Sequence, residues 1–128
     1  MGSLGKWIAA AAVMVTLLAT RGAVAQDARI ESRFAEVNGI RMHYLVAGKG
    51  DPVILMHGYA QNSHMWRPTM RELAKTHLVV APDLRGFGET TKAESGYDKK
   101  SMAVDVHELA KKLGIGKAGI AGQKARST

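Results

Sequence analysis

The chain has 128 residues, no cysteine and a formal net charge of +7. The missing cysteine excludes a disulfide framework, a thiolate metal site, a cysteine nucleophile and a lipoprotein anchor together. Basic residues gather late, at Lys99, Lys100, Lys111, Lys112, Lys117, Lys124 and Arg126, but no aromatic residue interleaves them after Tyr97, so they read as a solvated helix face and a polar tail, and no nucleic-acid partner is expected.

The first predicted element is a secretory leader. In MGSLGKWIAAAAVMVTLLATRGAVA, Lys6 precedes an uncharged apolar run from Trp7 to Thr20, and Ala23-Val24-Ala25 supplies the small residues that a signal peptidase reads. As a helix this run spans about 21 Å, short of the roughly 30 Å of a hydrocarbon core. Cleavage after Ala25 is therefore expected, with no stable membrane span afterwards and an exported product, periplasmic or secreted. The remaining 103 residues keep 16 basic against 11 acidic side chains. A chain of that size buries about 65% of its unfolded surface, enough for one small domain. That domain is expected over residues 26–122, with 123–128 as a divergent tail.

From Arg33 to Val46 the pattern predicts two short strands around Asn38-Gly39, a dipeptide that tolerates the positive φ of a tight hairpin turn. Gly48 to Pro52 reads as loop. Val53, Ile54, Leu55 and Met56 then form a continuous apolar run, as in a parallel strand covered on both faces. Ser63 is placed to cap a helix that breaks or restarts at Pro68 and continues through Met70, Leu73 and Ala74. His77 to Ala81 is the next buried strand, followed by a polar loop to about Lys100. Met102, Val106, Leu109, Ala110 and Leu113 lie on one helical stripe, stopped by Gly114, and Ala118 to Ala121 reads as a further buried strand. Strand and helix alternate at spacings that imply right-handed βαβ crossovers and an α/β sheet.

Three tempting patterns fail. Gly114, Gly116 and Gly119 spell GxGxxG, but the order runs from helix into strand, the reverse of what a dinucleotide cradle needs. His107-Glu108 opens HExxH, yet Lys111 stands where the second histidine belongs, so no zinc pair forms. Ser101, Asp105 and His107 supply triad side-chain types within one helix, but residues two apart on a helix diverge. They read as a cap and two surface residues. Neither a cofactor nor a metal is expected.

The run VILMHGYAQNSHMW places His57-Gly58 directly after a buried parallel strand and before a helix, where open α/β sheets bind ligands. With APDLRGFGET after the next strand and GYDKKSMAVDVHELAKKLGIGKAGIAG beyond it, the sequence resembles the α/β-hydrolase fold family, and within it the epoxide hydrolase and haloalkane dehalogenase branch. The resemblance covers roughly Val37 to Gly122. It implies a truncated α/β-hydrolase sheet, with an antiparallel opening hairpin and then parallel strands. It further implies hydrolysis of an epoxide, haloalkane or ester through a covalent intermediate, and a small-molecule substrate.

In the family, one donor of the oxyanion hole is a backbone amide in the loop after the third strand. It maps to Tyr59, with His57 and Gly58 shaping the loop. Asp83, Arg85, Gly86 and Gly88 map to a structural loop, where Arg85 can brace carbonyls. Ala60 stands where relatives often carry proline, which leaves the Tyr59 amide less firmly aimed. The resemblance also predicts a nucleophile elbow after the last strand, and there Lys124 occupies the nucleophile position and Arg126 the place of a small residue. His43, His57, His64, His77 and His107 all precede the elbow, so none matches the family's catalytic base. On this reading the chain is an incomplete, inactive portion of a hydrolase. The alternatives are a non-catalytic binding protein, or half of a split enzyme completed by another chain.

Overall fold

The computed structural model describes residues 29–122; the expected leader and the positions from Gln123 onward, Lys124 among them, lie outside this range. The strands are β1 (Glu31–Val37), β2 (Ile40–Ala47), β3 (Asp51–Met56), β4 (His77–Pro82) and β5 (Gly119–Gly122). Between them lie a 3-10 turn (Ser63–Trp66), helix α1 (Arg67–Leu73) and helix α2 (Lys99–Lys112).

The opening hairpin forms as its turn residues predict. Asn38 and Gly39 both take positive φ, 46° and 77°, the combination that matches a two-residue turn to the twist of its strands. β1 and β2 pair antiparallel in a register running from Val37 opposite Ile40 to Glu31 opposite Val46. The full sheet has the order β1-β2-β4-β3-β5, so β4 inserts between β2 and β3, antiparallel to the first and parallel to the second. β5 then crosses to the far side of β3 and pairs with it in parallel.

Alternation along the strands divides the core between two faces, because side chains in a strand point to opposite sides with period two. Met42, Tyr44, Ile54 and Val80 face α2, where Val106 and Leu109 close the layer. Leu45, Leu55, Val79 and Ala81 face the other way, against Met70 and Ala74 at α1. This two-sided burial explains why the central strands read as unbroken apolar runs.

Three expectations need adjustment. Asn62, not Ser63, caps the 3-10 turn, its side chain accepting from the His64 amide at 3.0 Å. The 3-10 turn and α1 do meet at the predicted break, with Pro68 in the first turn of α1, where its missing N–H costs nothing. α2 starts at Lys99, two residues earlier than predicted, because Asp98 is its cap and Ser101 donates its amide and hydroxyl to that carboxylate at 2.9 and 2.7 Å. β5 is an exposed edge strand, with Ile120 70% exposed, and not a buried one. No helix among the described residues is long and apolar enough to cross a membrane.

Candidate functional site

Parallel neighbours end on the same side of a sheet, so the loops after β3 and β4 lie side by side. The first loop begins with His57, which is buried. Its Nε2 lies 2.9 Å from the Leu84 amide, which can only donate, so Nε2 is the acceptor and the ring proton sits on Nδ1. Nδ1–H then donates to the Gly58 carbonyl at 2.8 Å. Both ring nitrogens are thereby committed, Nε2 to the second loop and Nδ1 within the first, and His57 acts as a brace.

The next residues form a closed turn. The Gly58 N–H donates to Oε1 of Gln61 at 3.0 Å, and the Gln61 N–H returns to the Gly58 carbonyl at 3.3 Å. Ala60 sits at φ 59°, in the left-handed region. A proline there is sterically excluded, since its ring holds φ at about −65°. The loop is therefore aimed by the Gln61 side chain and a left-handed alanine, a different device from a proline-restricted turn. Among the described residues, the Tyr59 amide has no hydrogen-bond partner, while its side chain is 87% exposed and meets the Phe87 ring edge-on at 6.0 Å. His57, Tyr59, Leu84, Phe87, Tyr97 and Met102 enclose an apolar hollow of about 220 Å³ beside that amide.

The second loop is organised by Asp83, which is fully buried. Its Oδ1 accepts from the Ser63 amide at 2.6 Å, and its Oδ2 accepts from the Glu89 amide at 3.0 Å and from His43 Nδ1 at 2.8 Å. Burial pushes the carboxyl up, but the Glu89 and Ser63 amides and His43 together outweigh it and hold it below its usual range. Gly88 has φ 52°, and a Cβ there would lie 2.1 Å from Asp83 Oδ2, so only glycine lets the loop wrap the carboxylate. Gly86 has φ 81°, which favours glycine, and an added Cβ would meet the Tyr97 ring at 2.5 Å.

Arg85 does brace a carbonyl, donating from Nη1 to Ser95 O at 3.0 Å. Its main partner is one the sequence reading placed on the surface. Asp105 is fully buried on α2 and takes a two-pronged grip from Arg85, Nε to Oδ2 at 2.9 Å and Nη2 to Oδ1 at 2.8 Å, with Asn38 Nδ2 adding 2.8 Å to Oδ1. The Asp105 carboxylate holds the Arg85 guanidinium above its usual range. This pair ties the second loop, the hairpin turn and α2 together. A signal for it was available, because Asp105 lies three residues after Met102 and four before Leu109, on the apolar stripe and not opposite it. Gln61 and His43, the other two braces, carried no local signal.

Residues 51–123 match the family described as alpha/beta hydrolase fold. The chain is 48% identical over 88 residues to the soluble epoxide hydrolase of Corynebacterium sp. (strain C12), covering 69% of this chain and 31% of that protein. It is 36% identical over 90 residues to the fluoroacetate dehalogenase of Burkholderia sp., covering 66% and 30%. The solved structure of the epoxide hydrolase CorEH without ligand superposes with a TM-score of 0.71 at 46% identity, over 72% of this chain and 32% of that one. The chain thus spans about three tenths of the length of these relatives.

Proposed function

The chain belongs to the alpha/beta hydrolase fold family, and from that premise we propose that it carries the oxyanion-loop portion of a hydrolase of the epoxide-hydrolase type. In this reading the Tyr59 amide donates to the oxygen on which negative charge develops, and His57, Gly58 and Gln61 hold it in place. One such donor contributes about 3 kcal/mol to transition-state stabilisation, because it is aimed before the charge appears. Attack comes from a carboxylate or serine, forms an ester intermediate, and ends with hydrolysis by a histidine-activated water. The groups that perform those steps lie outside the described residues.

The observation that carries the reading is the unengaged Tyr59 amide beside an apolar hollow, in a loop where the His57 ring and the Gly58 N–H and carbonyl are already paired. Asp83, Arg85, Gly86 and Gly88 are structural here, since each is consumed in holding the loops. Lys124 does not act as nucleophile in this proposal. A lysine attacks only when desolvation lowers its pKa, and Arg126, Ser127 and Thr128 close after it are polar. The 128 residues alone are then expected to leave styrene oxide unopened, with diol formation restored when a chain bearing the remaining family elements is added. Diol production by the purified chain alone, lost in Lys124→Met, would overturn this. We also propose export by residues 1–25, which mass spectrometry of the secreted product tests: the expected first residue is Gln26.

A further inference from the structure

A second set of polar groups lies on the face of the sheet toward the 3-10 turn, and the function proposed above makes no use of its serine or histidine. Ser32, on the solvent-exposed strand β1, places Oγ 2.6 Å from Nε2 of His43. The other nitrogen of that ring, Nδ1, lies 2.8 Å from Asp83 Oδ2. His43 and Asp83 are fully buried, whereas Ser32 is exposed. From these contacts we propose that Ser32, His43 and Asp83 form a nucleophile, base and orienting acid, and that Ser32 is a reactive serine toward activated acyl and phosphonyl electrophiles.

The proton positions follow from the partners. The Asp83 carboxylate has no proton to give, so Nδ1 carries one and donates it, which leaves Nε2 of the neutral ring as an acceptor. Two groups face that nitrogen, Ser32 Oγ and Glu89 Oε2 at 3.1 Å, and only the hydroxyl can donate. This is the order of contacts that lets a histidine take a hydroxyl proton while a buried carboxylate fixes the tautomer and supports the imidazolium formed. The ring is held in place on its other sides by His64, stacked at 6.1 Å between centroids, and Phe34, tilted at 5.1 Å. Glu89 is the competing group, because a protonated ring would donate Nε2–H to its carboxylate and leave the serine unactivated.

The substrate class follows from the surroundings. Phe34 is 39% exposed, and the Arg41 guanidinium lies 3.8 Å from its ring centroid, an open aromatic and cationic shelf next to Ser32 along β1. An aryl leaving group suits such a shelf. With an aryl ester, Oγ bonds to the acyl carbon as its proton passes to Nε2. The ester C–O bond then breaks, and the imidazolium returns the proton to the departing aryl oxide. With a fluorophosphonate, the Oγ–P bond forms, P–F breaks, and the proton leaves by His43 to solvent as fluoride departs.

The test is covalent labelling of the purified chain by a biotinylated fluorophosphonate, with the adduct located by peptide mass spectrometry. General-base assistance predicts modification of Ser32 about 100-fold faster than in the same chain unfolded in urea. Ser32→Ala, a change on an exposed strand, is expected to lose the adduct. Glu89→Ala, also at the surface, is expected to speed labelling by leaving Nε2 to the serine alone while the residue 89 amide stays on Asp83, an effect that a purely structural His43 would not produce. Equal labelling rates in native and unfolded chain, no adduct at Ser32, or an unchanged rate in Glu89→Ala would each overturn the assignment.

Discussion

Asp83 accepts four interactions: the Ser63 amide, the Glu89 amide and His43 converge on its carboxylate, and its backbone carbonyl takes the Thr90 hydroxyl at 2.7 Å. Removing the charge leaves buried donors facing an amide that also donates, so Asp83→Asn is expected to cost about 3 kcal/mol in urea unfolding at neutral pH. The pH dependence has a definite sign. The native carboxyl lies below its unfolded value, so its contribution is complete above the ordinary carboxylate range and is lost as pH falls through the native value. Unfolding of the parent chain should therefore become easier on acidification from pH about 5 downward, and Asp83→Asn should lack that part of the acid sensitivity. Asp105 belongs to the same scale. Asp105→Ala strands the guanidinium of Arg85, itself buried, and should destabilise by about 3 to 5 kcal/mol. Removing the solvent-exposed pair Lys75–Glu72 should change stability by less than about 1 kcal/mol. Paired denaturant melts check both.

At the scale of elements, the loop after β3 carries the point on which the proposed function turns. Its left-handed Ala60 is held by the reciprocal Gly58–Gln61 bonds, since an L-residue in that region costs about 1 kcal/mol. Ala60→Gly should relieve the strain and stabilise the chain by about 0.5 kcal/mol, once the greater freedom of glycine in the unfolded state is offset. Ala60→Pro should do the opposite, because φ cannot be positive there. It should also shift the amide resonances of Gly58 and Tyr59 in a nitrogen–proton correlation spectrum. Much of the element level was legible in the chain itself. The Asn38-Gly39 turn, the apolar runs of β3 and β4, and the stripe Met102, Val106, Leu109 all report local periodicity. The start of α2 was misplaced because the Asp98 cap lies outside that periodic stretch.

For the whole described unit, the two edges of the sheet differ. β1 carries Glu31, Arg33 and Glu36, charges that discourage pairing with another strand, whereas β5 is Gly-Ile-Ala-Gly with every residue exposed. An uncharged, unprotected edge is a template for association, so Ile120→Lys should raise the concentration at which the chain remains monodisperse in light scattering, at little cost to folding because Ile120 is 70% exposed. Beside that edge an apolar hollow of about 280 Å³ opens between α2 and β5, lined by Ile54, Met56, Val106, Ala110 and Ile120 among others. The stripe on α2 is broader than the surface it covers here.

The sequence alone was enough to establish the class of fold and the position of the candidate loop, because strand alternation, helical stripes and turn dipeptides are local properties of neighbouring residues. The family resemblance, confirmed by the match over residues 51–123, followed from motifs that keep their order along the chain. What the tertiary structure alone decided are contacts between distant residues: Arg85 with Asp105, His57 with Leu84, and His43 with both Ser32 and Asp83. These pairings depend on where β4 inserts in the sheet and on which loops that insertion brings together. No window of neighbouring residues contains that information, since a charge on an apolar stripe finds its partner only when a separate loop folds across it.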